Sequence, residues 1–458
     1  MDYREFLSRK AQSAAMSGFT PIWMPDWLFD FQSHLTDWNI RKGRSATLAD
    51  CGLGKTPMSL VWAENVVRHT NKPVLIITPL AVSGQTAREA DKFGIDCKVS
   101  RDGTVHKNIT VTNYEQLHKF TATDFSGFVG DEFSCCKSMD GKRRAEVNEF
   151  IRVVPYRLLC TATAAPNDYI ELGTLSEALG ELGQMDMISR FFKTENQTGH
   201  AWGRTKYRLK GHAEIPFWQW ICSWARACRK PSDIGFSDER FALPPLNETV
   251  HIVKPNTPTP GFLYDMPARD LREEKAERRR TIKERCEKVA ELMQSDEHAA
   301  IWCHLNDEGD LLEDLIQGSK QISGSDSDEE KEEIYEAFAS GQLKKIITKP
   351  IIGAWGLNWQ HCSRVATFAS HSYEQYYQLV RRCWRFGQKS EVNVHVIATE
   401  GEQRVSENLA RKASQADRMF TALVECMNNA IQIDRSIKFK ERATLPAWLS
   451  ERNQTTRL

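Results

Sequence analysis

Long apolar runs are missing from this sequence: the longest, such as VLII at 74–77, fall far short of the about 20 residues that a membrane-spanning helix needs. The first residues, MDYREFLSRK, are charged from the second position and carry no apolar signal region. No secretion or membrane role is expected. The 12 cysteines form no paired C-x-x-C elements, so a zinc finger or ribbon is excluded. Only Cys135 and Cys136 are adjacent, and five residues separate Cys222 from Cys228. Reduced core thiols and a cytoplasmic location are expected. Net charge is also missing, with 61 basic against 61 acidic residues. A polyanion would have to meet a local basic surface, not the field of the whole molecule. No repeat, low-complexity tract, nuclease signature or methyltransferase signature is present.

What remains is an ordinary globular composition over 458 residues, more than one hydrophobic core usually holds. Short β-branched runs alternate with helical patterns twice. The first set is ATLA (46–49), VLIIT (74–78), ITVT (109–112), FSGFVG (125–130) and RLLC (157–160). The second is AAIWC (299–303), KIIT (345–348), RVATF (364–368) and VNVHVI (392–397), with an acidic amphipathic helix at 327–339. Such alternation predicts two α/β lobes built on parallel sheets. Domains are therefore expected at 1–190 and 296–400, with an insertion and helical connector at 191–295 and a helical extension and polar tail at 401–458.

ATLADCGLGKT leads from a strand through two glycines into a helix. A phosphate loop needs small residues that let backbone N–H groups face the anion, a lysine for the outer phosphates and a hydroxyl for Mg²⁺. Gly52, Gly54, Lys55 and Thr56 supply these; Ala49 stands where the general pattern has its first glycine. A chance glycine turn before a helix is the alternative. The next acidic pair after an apolar strand is Asp131-Glu132, in FVGDEFSCCK. Asp131 is placed to bind the Mg²⁺ shell and Glu132 to orient an attacking water, unless the pair is a solvent-facing turn. Far downstream, RRCWRFGQ (381–388) sets Arg382 and Arg385 three apart, on one face if the segment is helical, ready for an anion.

Taken together, LADCGLGKT, VTNYEQL, GDEFSCCK, LLCTATAAPND, ITKPIIGAWGLNW and QLVRRCWRFGQ resemble, in order, motifs I, Ib, II, III, V and VI of superfamily-two helicases. The opening glutamine and closing R-x-x-R-x-G-Q of the last are similar to the Swi/Snf pattern, and the short phage-encoded Swi/Snf-like ATPases are the nearest likeness, over roughly residues 28–400. The resemblance implies two tandem RecA-like lobes with ATP and Mg²⁺ in the cleft between them. Lys55, Thr56, Asp131 and Glu132 would act from one wall, and Arg382 and Arg385 would reach the γ-phosphate from the other. Such arginines are worth about 10³–10⁵ in rate. LFDFQSHLTDW (28–38) resembles the segment that carries an adenine-reading glutamine, here Gln32 with Phe29 or Phe31 beside it, although a plain amphipathic helix explains the same letters. A preference for ATP over GTP follows. Gly356 joins the nucleotide-binding set.

The resemblance also implies a sequence-blind polynucleotide track. Thr112, Asn113 and Tyr114 are expected on it from the first lobe and Thr348, Lys349 and Asn358 from the second, with Gly353 and Gly356 allowing close backbone approach; turn-forming roles explain these positions about as well. Two departures stand out: Ser134 replaces the usual histidine after D-E-x, and motif III is Thr161-Ala162-Thr163. The implied activity is a DNA-stimulated ATPase moving on double-stranded DNA without separating strands, in the host cytoplasm if phage-encoded, with phage or host replication and recombination proteins as possible partners. The alternatives are a single-strand DNA or RNA helicase, and a nucleotide-gated adaptor for a protein partner. A small-molecule kinase fits less well, because the arginines lie in a second lobe with its own sheet.

Trp202, Trp218, Trp220 and Trp224 lie among Arg204, Lys206, Arg208, Lys210, Arg226 and Arg229. The i,i+4 spacing of Trp220 and Trp224 favours a packed mini-core over base stacking. Residues 268–293 read as one long charged helix, whose alternating charges favour a solvated face with internal ion pairs over a DNA contact.

Overall fold

The structure, a computed structural model, describes residues 16–136, 141–165, 168–195, 206–256, 271–353 and 358–430. Two units are distinguished: residues 1–240 with 418–458, and residues 241–417.

The first unit has strands β1 (Arg44–Ala49), β2 (Val74–Thr78), β3 (Cys97–Val99), β4 (Ile109–Asn113), β5 (Gly127–Gly130) and β6 (Tyr156–Cys160), of which all but β3 come from the apolar runs. An antiparallel hairpin follows, β7 (Phe192–Glu195) with β8 (Lys206–Leu209), and then β9 (Ala225–Cys228). The main sheet has the order β3-β4-β2-β5-β6-β1-β9, and every pairing in it is parallel. VLIIT has no polar face because β2 is buried along its whole length between β4 and β5. Since all strands point the same way, the segments after Ala49, Asn113, Gly130 and Cys160 leave from one edge of the sheet.

Part of the stretch read as an insertion does form an aromatic mini-core. Trp218, Trp220 and Trp224 are buried with Phe191, Phe192 and Phe217, and ring centroids of Phe191 and Trp220 lie 5.4 Å apart, those of Trp220 and Trp224 5.6 Å. Trp202 and Arg204 lie outside the described residues. The same stretch also yields β9, which docks beside β1 and places Cys228 opposite Ala49.

The second unit holds a sheet of order β10-β15-β14-β11-β13-β12. Its strands are β10 (Leu246–Val253), β11 (Ala299–Trp302), β12 (Ser319–Gln321), β13 (Lys345–Thr348), β14 (Arg364–Phe368) and β15 (Val392–Thr399), again all parallel. Alternation along β11 decides which helices cover it. Ala300 and Trp302 pack with Tyr335, Phe338, Leu379 and Val380 of the helices Asp328–Ala339 and Tyr373–Cys383. Ala299 and Ile301 pack the other way, with Cys286, Val289 and Leu312 of the helices Ile282–Leu292 and Asn306–Leu315. Helix Gln403–Ala430 follows β15. Among the described residues, no helix is long and apolar enough to cross a membrane.

The charged segment 268–293 departs from its reading. It forms two helices, Leu271–Arg280 and Ile282–Leu292, broken at Thr281, whose φ of −106° and ψ of 16° are not helical. Several of its charges are buried instead of solvated: Glu274, Glu277 and Arg285 are at most 8% exposed. The Arg285 guanidinium lies 2.8 Å from the Glu308 carboxylate with both side chains fully buried. Nε of Arg285 donates to the Thr281 hydroxyl at 3.1 Å, and Nη2 donates to the Arg278 carbonyl at 2.6 Å. Glu308 accepts from the His304 and Leu305 backbone N–H groups at 2.8 and 2.9 Å. Neighbouring Glu277 accepts from Thr399 Oγ1 at 2.9 Å, and Glu402 accepts from Arg278 at 2.9 Å. Removing one member of a buried pair strands the other charge without water. Arg285→Ala is therefore expected to destabilise the second unit by about 3–5 kcal/mol, read as a lowered denaturant midpoint for that unit.

Candidate functional site

The loop after β1 is shaped by two glycines in conformations that side chains resist. Gly52 has φ 85° and Gly54 has φ 79°, ψ 45°, the latter immediately before helix Lys55–Thr70. Gly54 caps that helix with no side-chain hydrogen bond, and no acidic residue occupies the first turn. The first N–H groups and the positive helix end are thus offered to an anion. Gly54 is also pinned by space, because a Cβ there would sit 2.2 Å from Gln32 Nε2. Gln32 is buried under the loop. Its Nε2 donates to the Leu53 carbonyl at 2.9 Å and its Oε1 accepts from the Phe29 N–H at 3.2 Å. Thr56 occupies the second position of the helix, half-buried.

Lys55 bends back over its own loop, donating from Nζ to the Ala49 carbonyl at 3.1 Å, and lies 4.0 Å from Glu132 Oε1. Burial works against its charge, but Cys51, Glu132, Asp131 and Asp50 outweigh that cost and raise its pKa. Asp131 follows the end of β5, held by its N–H to the Ile77 carbonyl at 2.8 Å and by the Tyr114 hydroxyl, which donates to the Asp131 carbonyl at 2.8 Å. Burial and the adjacent Glu132 push the Asp131 carboxyl up to about 7, against the pull of Lys55. Glu132 adopts φ 49°, in the left-handed region, while its side chain is buried. A non-glycine residue held there costs about 1–3 kcal/mol, and such strain gathers where side-chain aim matters. A lysine, two crowded carboxylates and an uncapped helix end stand together here, a set of groups suited to a phosphate with its cation. A phosphate-bound Mg²⁺ takes one or two carboxylates and a hydroxyl; Asp131 and Thr56 supply these groups, and a cation would relieve the crowding of Asp131 with Glu132.

The remaining expected residues are arranged more inwardly than a nucleic-acid track requires. Thr112, Asn113 and Tyr114 are all buried. Asn113 caps the short helix that follows, accepting from the Gln116 N–H at 3.0 Å. Ser134 is buried too, as are Thr161 and Thr163, with the Thr163 N–H donating to the Thr161 hydroxyl at 3.1 Å. In the second unit Thr348 is buried, Lys349 donates to Asn306 Oδ1, and Asn358 is exposed. Gly353 is small for an internal reason: a Cβ there would meet Thr348 at 2.8 Å and Tyr335 at 3.1 Å. Gly356 lies outside the described residues.

The two arginines do not share a helical face. Helix Tyr373–Cys383 ends before Arg385, because Trp384 turns out at φ −89°, ψ 83°. Arg382 is buried within the helix, donating to Gln378 Oε1 at 2.7 Å, whereas Arg385 is half-buried in the bend beyond. Gln388 fixes that bend. Its Nε2 donates to the carbonyls of Cys362 and Cys383 at 2.9 and 3.3 Å, and its Oε1 accepts from the Lys389 and Ser390 N–H groups, both at 2.9 Å. Gly387, at φ 92°, completes the turn. Motif position alone marks Gln388 in the sequence; its structural work is invisible there, as is the support that Tyr114 gives Asp131.

Asp131 sets a pH dependence. In the metal-free folded protein it keeps its proton to about pH 7, whereas an unfolded aspartate releases it at about 3.9. The folded state therefore binds the extra proton between those values, and its contribution to stability falls as pH rises through that window. Denaturant midpoints measured from pH 4 to 7 are expected to show this downward component, and Asp131→Asn to remove it.

Residues 284–387 match the family model described as the helicase conserved C-terminal domain. No curated protein matches the chain. Among solved structures, a variant of Dbp5 from S. cerevisiae, bound to a Gle1 variant and IP6, is similar with a TM-score of 0.50 and 10% identity. That similarity covers 87% of this chain and 92% of that one, and at such identity it is a likeness of fold. Residues 284–387 thus match a helicase conserved C-terminal domain, and the chain as a whole has the fold of two RecA-like parallel-sheet units.

Proposed function

We propose that this protein is an ATP-driven motor of the Swi/Snf-like kind that moves on double-stranded DNA. The observation that carries the reading is the wall formed in the first unit by the uncapped helix start at Lys55, the lysine 4.0 Å from Glu132, and Asp131 crowded beside it. Lys55 and the Gly52–Gly54 loop bind the phosphates, and Thr56 and Asp131 hold Mg²⁺, which offsets the charge of the phosphates when bound. Glu132, aimed by its left-handed backbone, orients the attacking water. Gln32 reads the base. Arg382 and Arg385 act on the γ-phosphate as the resemblance implies. Two different surroundings for the arginines favour two different tasks: the buried, glutamine-bound Arg382 positions, and the half-buried Arg385 at the bend makes the contact. Thr348, Lys349 and Asn358 contribute the polynucleotide contacts of the second unit.

The burial of Thr112, Asn113 and Tyr114 favours the second reading, a nucleotide-gated adaptor whose turnover is incidental, because it removes three groups from the expected track. A steady-state ATPase assay separates the readings when run with duplex DNA, single strands, RNA and no ligand at two salt concentrations. The motor reading expects turnover stimulated by duplex DNA and weakened by salt. It also expects losses of about 10³-fold or more in Arg385→Ala, and comparable losses in Lys55→Ala and Glu132→Gln. Turnover indifferent to every nucleic acid, with an ATP-dependent complex to a protein, supports the adaptor instead; stimulation by single strands or RNA alone makes it a helicase.

A further inference from the structure

The motor chemistry leaves Cys135 and Cys136 unused, although they occupy the short turn Phe133–Cys136 directly after the acidic pair. Their sulfurs are 3.8 Å apart. Cys136 is buried and Cys135 is partly exposed, so one thiol is open to a reagent and the other waits behind it. Close to the pair, the Arg143 guanidinium lies 5.8 Å from the centre of the Tyr114 ring and is paired with Glu115 at 2.6 Å. The Cys135 N–H donates to the Glu132 carbonyl at 3.1 Å. A change in the peptide between the two cysteines therefore pulls on the residue whose backbone is already left-handed.

We infer that Cys135 and Cys136 form a modification site at which a hydroperoxide closes the dithiol into a disulfide and thereby misaligns Glu132. The Cys135 sulfur attacks the peroxide O–O bond and becomes a sulfenic acid as the alcohol or water departs. The Cys136 sulfur then displaces the sulfenic oxygen as water. Two thiols and one hydroperoxide give one disulfide, one alcohol and one water, with two electrons passing from sulfur to oxygen. Neighbouring Cα atoms are about 3.8 Å apart across a trans peptide, below the about 4.4–6.8 Å of ordinary disulfides. The bond therefore forces the turn to rearrange and is easily reduced, as a reversible site requires.

The bond itself is independent of the ATPase reading; only its effect on turnover rests on that reading. The full chain is treated with graded hydrogen peroxide and followed by non-reducing peptide mapping, amide hydrogen exchange across 127–136 and ATP turnover. The peptide bearing both cysteines is expected to lose two hydrogens, and exchange at Glu132–Cys136 to change. Turnover is expected to fall at least about tenfold and to return with dithiothreitol, while Cys135→Ser keeps its turnover under the same treatment. The inference is overturned if the pair stays reduced while other accessible thiols react, if the disulfide forms without changing exchange, or if an active chain carries it at full turnover. Equal peroxide sensitivity in Cys135→Ser also overturns it, and directs attention to the half-exposed Cys51 of the phosphate loop. A chain with no turnover before treatment refutes the ATPase reading, and mapping and exchange still decide the rest.

Discussion

Every strand of the first sheet runs in the same direction, and that constraint carries the rest of the candidate site. Parallel strands need crossovers, so each strand must deliver its exit to the same edge before the chain turns back. The phosphate loop after β1, the acidic pair after β5 and the threonine loop after β6 are far apart in sequence and share an edge for this reason alone. β9 tightens the arrangement, because the Asp50 N–H donates to the Cys228 carbonyl at 2.9 Å and anchors the start of the loop to the next strand. No loop has to find its partner by itself.

Within that frame the charges are crowded together. Lys55 is drawn toward Glu132 and its own loop carbonyls, and Asp131 is too buried and too close to Glu132 to ionise comfortably. The second unit treats its charges differently. Arg285 pairs with Glu308, Arg278 with Glu402, and Glu277 with Arg280 and the Thr399 hydroxyl, as desolvated ions must pair to persist. One set of buried charges is paired within its unit, with Arg285 joining helix Ile282–Leu292 to Glu308 of helix Asn306–Leu315. The other gathers a lysine and two carboxylates beside one loop.

The contrast explains which parts were legible in the sequence. All nine apolar runs appear as strands, because strands buried on both faces have to be apolar throughout. Of the six described strands that the runs did not reveal, β7 and β8 form the separate hairpin, and β3, β9, β10 and β12 are the four edges of the two parallel sheets. An edge strand meets water or a charged neighbour. β10 is largely exposed, β12 gives the Gln321 N–H to the Glu313 carboxylate at 3.0 Å, and β9 carries Arg226 stacked 3.7 Å over Trp38. The glycine turn after β1 was legible because its glycines answer a local backbone demand. The disposition of Arg382 and Arg385 was not, since the helix end between them is set by Gln388 reaching Cys362, a contact distant in sequence. Alternating charge in 271–292 likewise reads the same whether the charges face water or buried partners.

Gln32 shows how little the loop leaves to chance. A glutamine amide has two N–H groups and two lone pairs. Leu53 takes one hydrogen and Phe29 supplies one, so a single donor and a single acceptor remain on a side chain that cannot flip without breaking both bonds. The adenine edge presents one acceptor and one donor, whereas guanine presents two acceptors there. The same two bonds that brace the phosphate loop therefore fix the polarity of any base edge that this amide can complement.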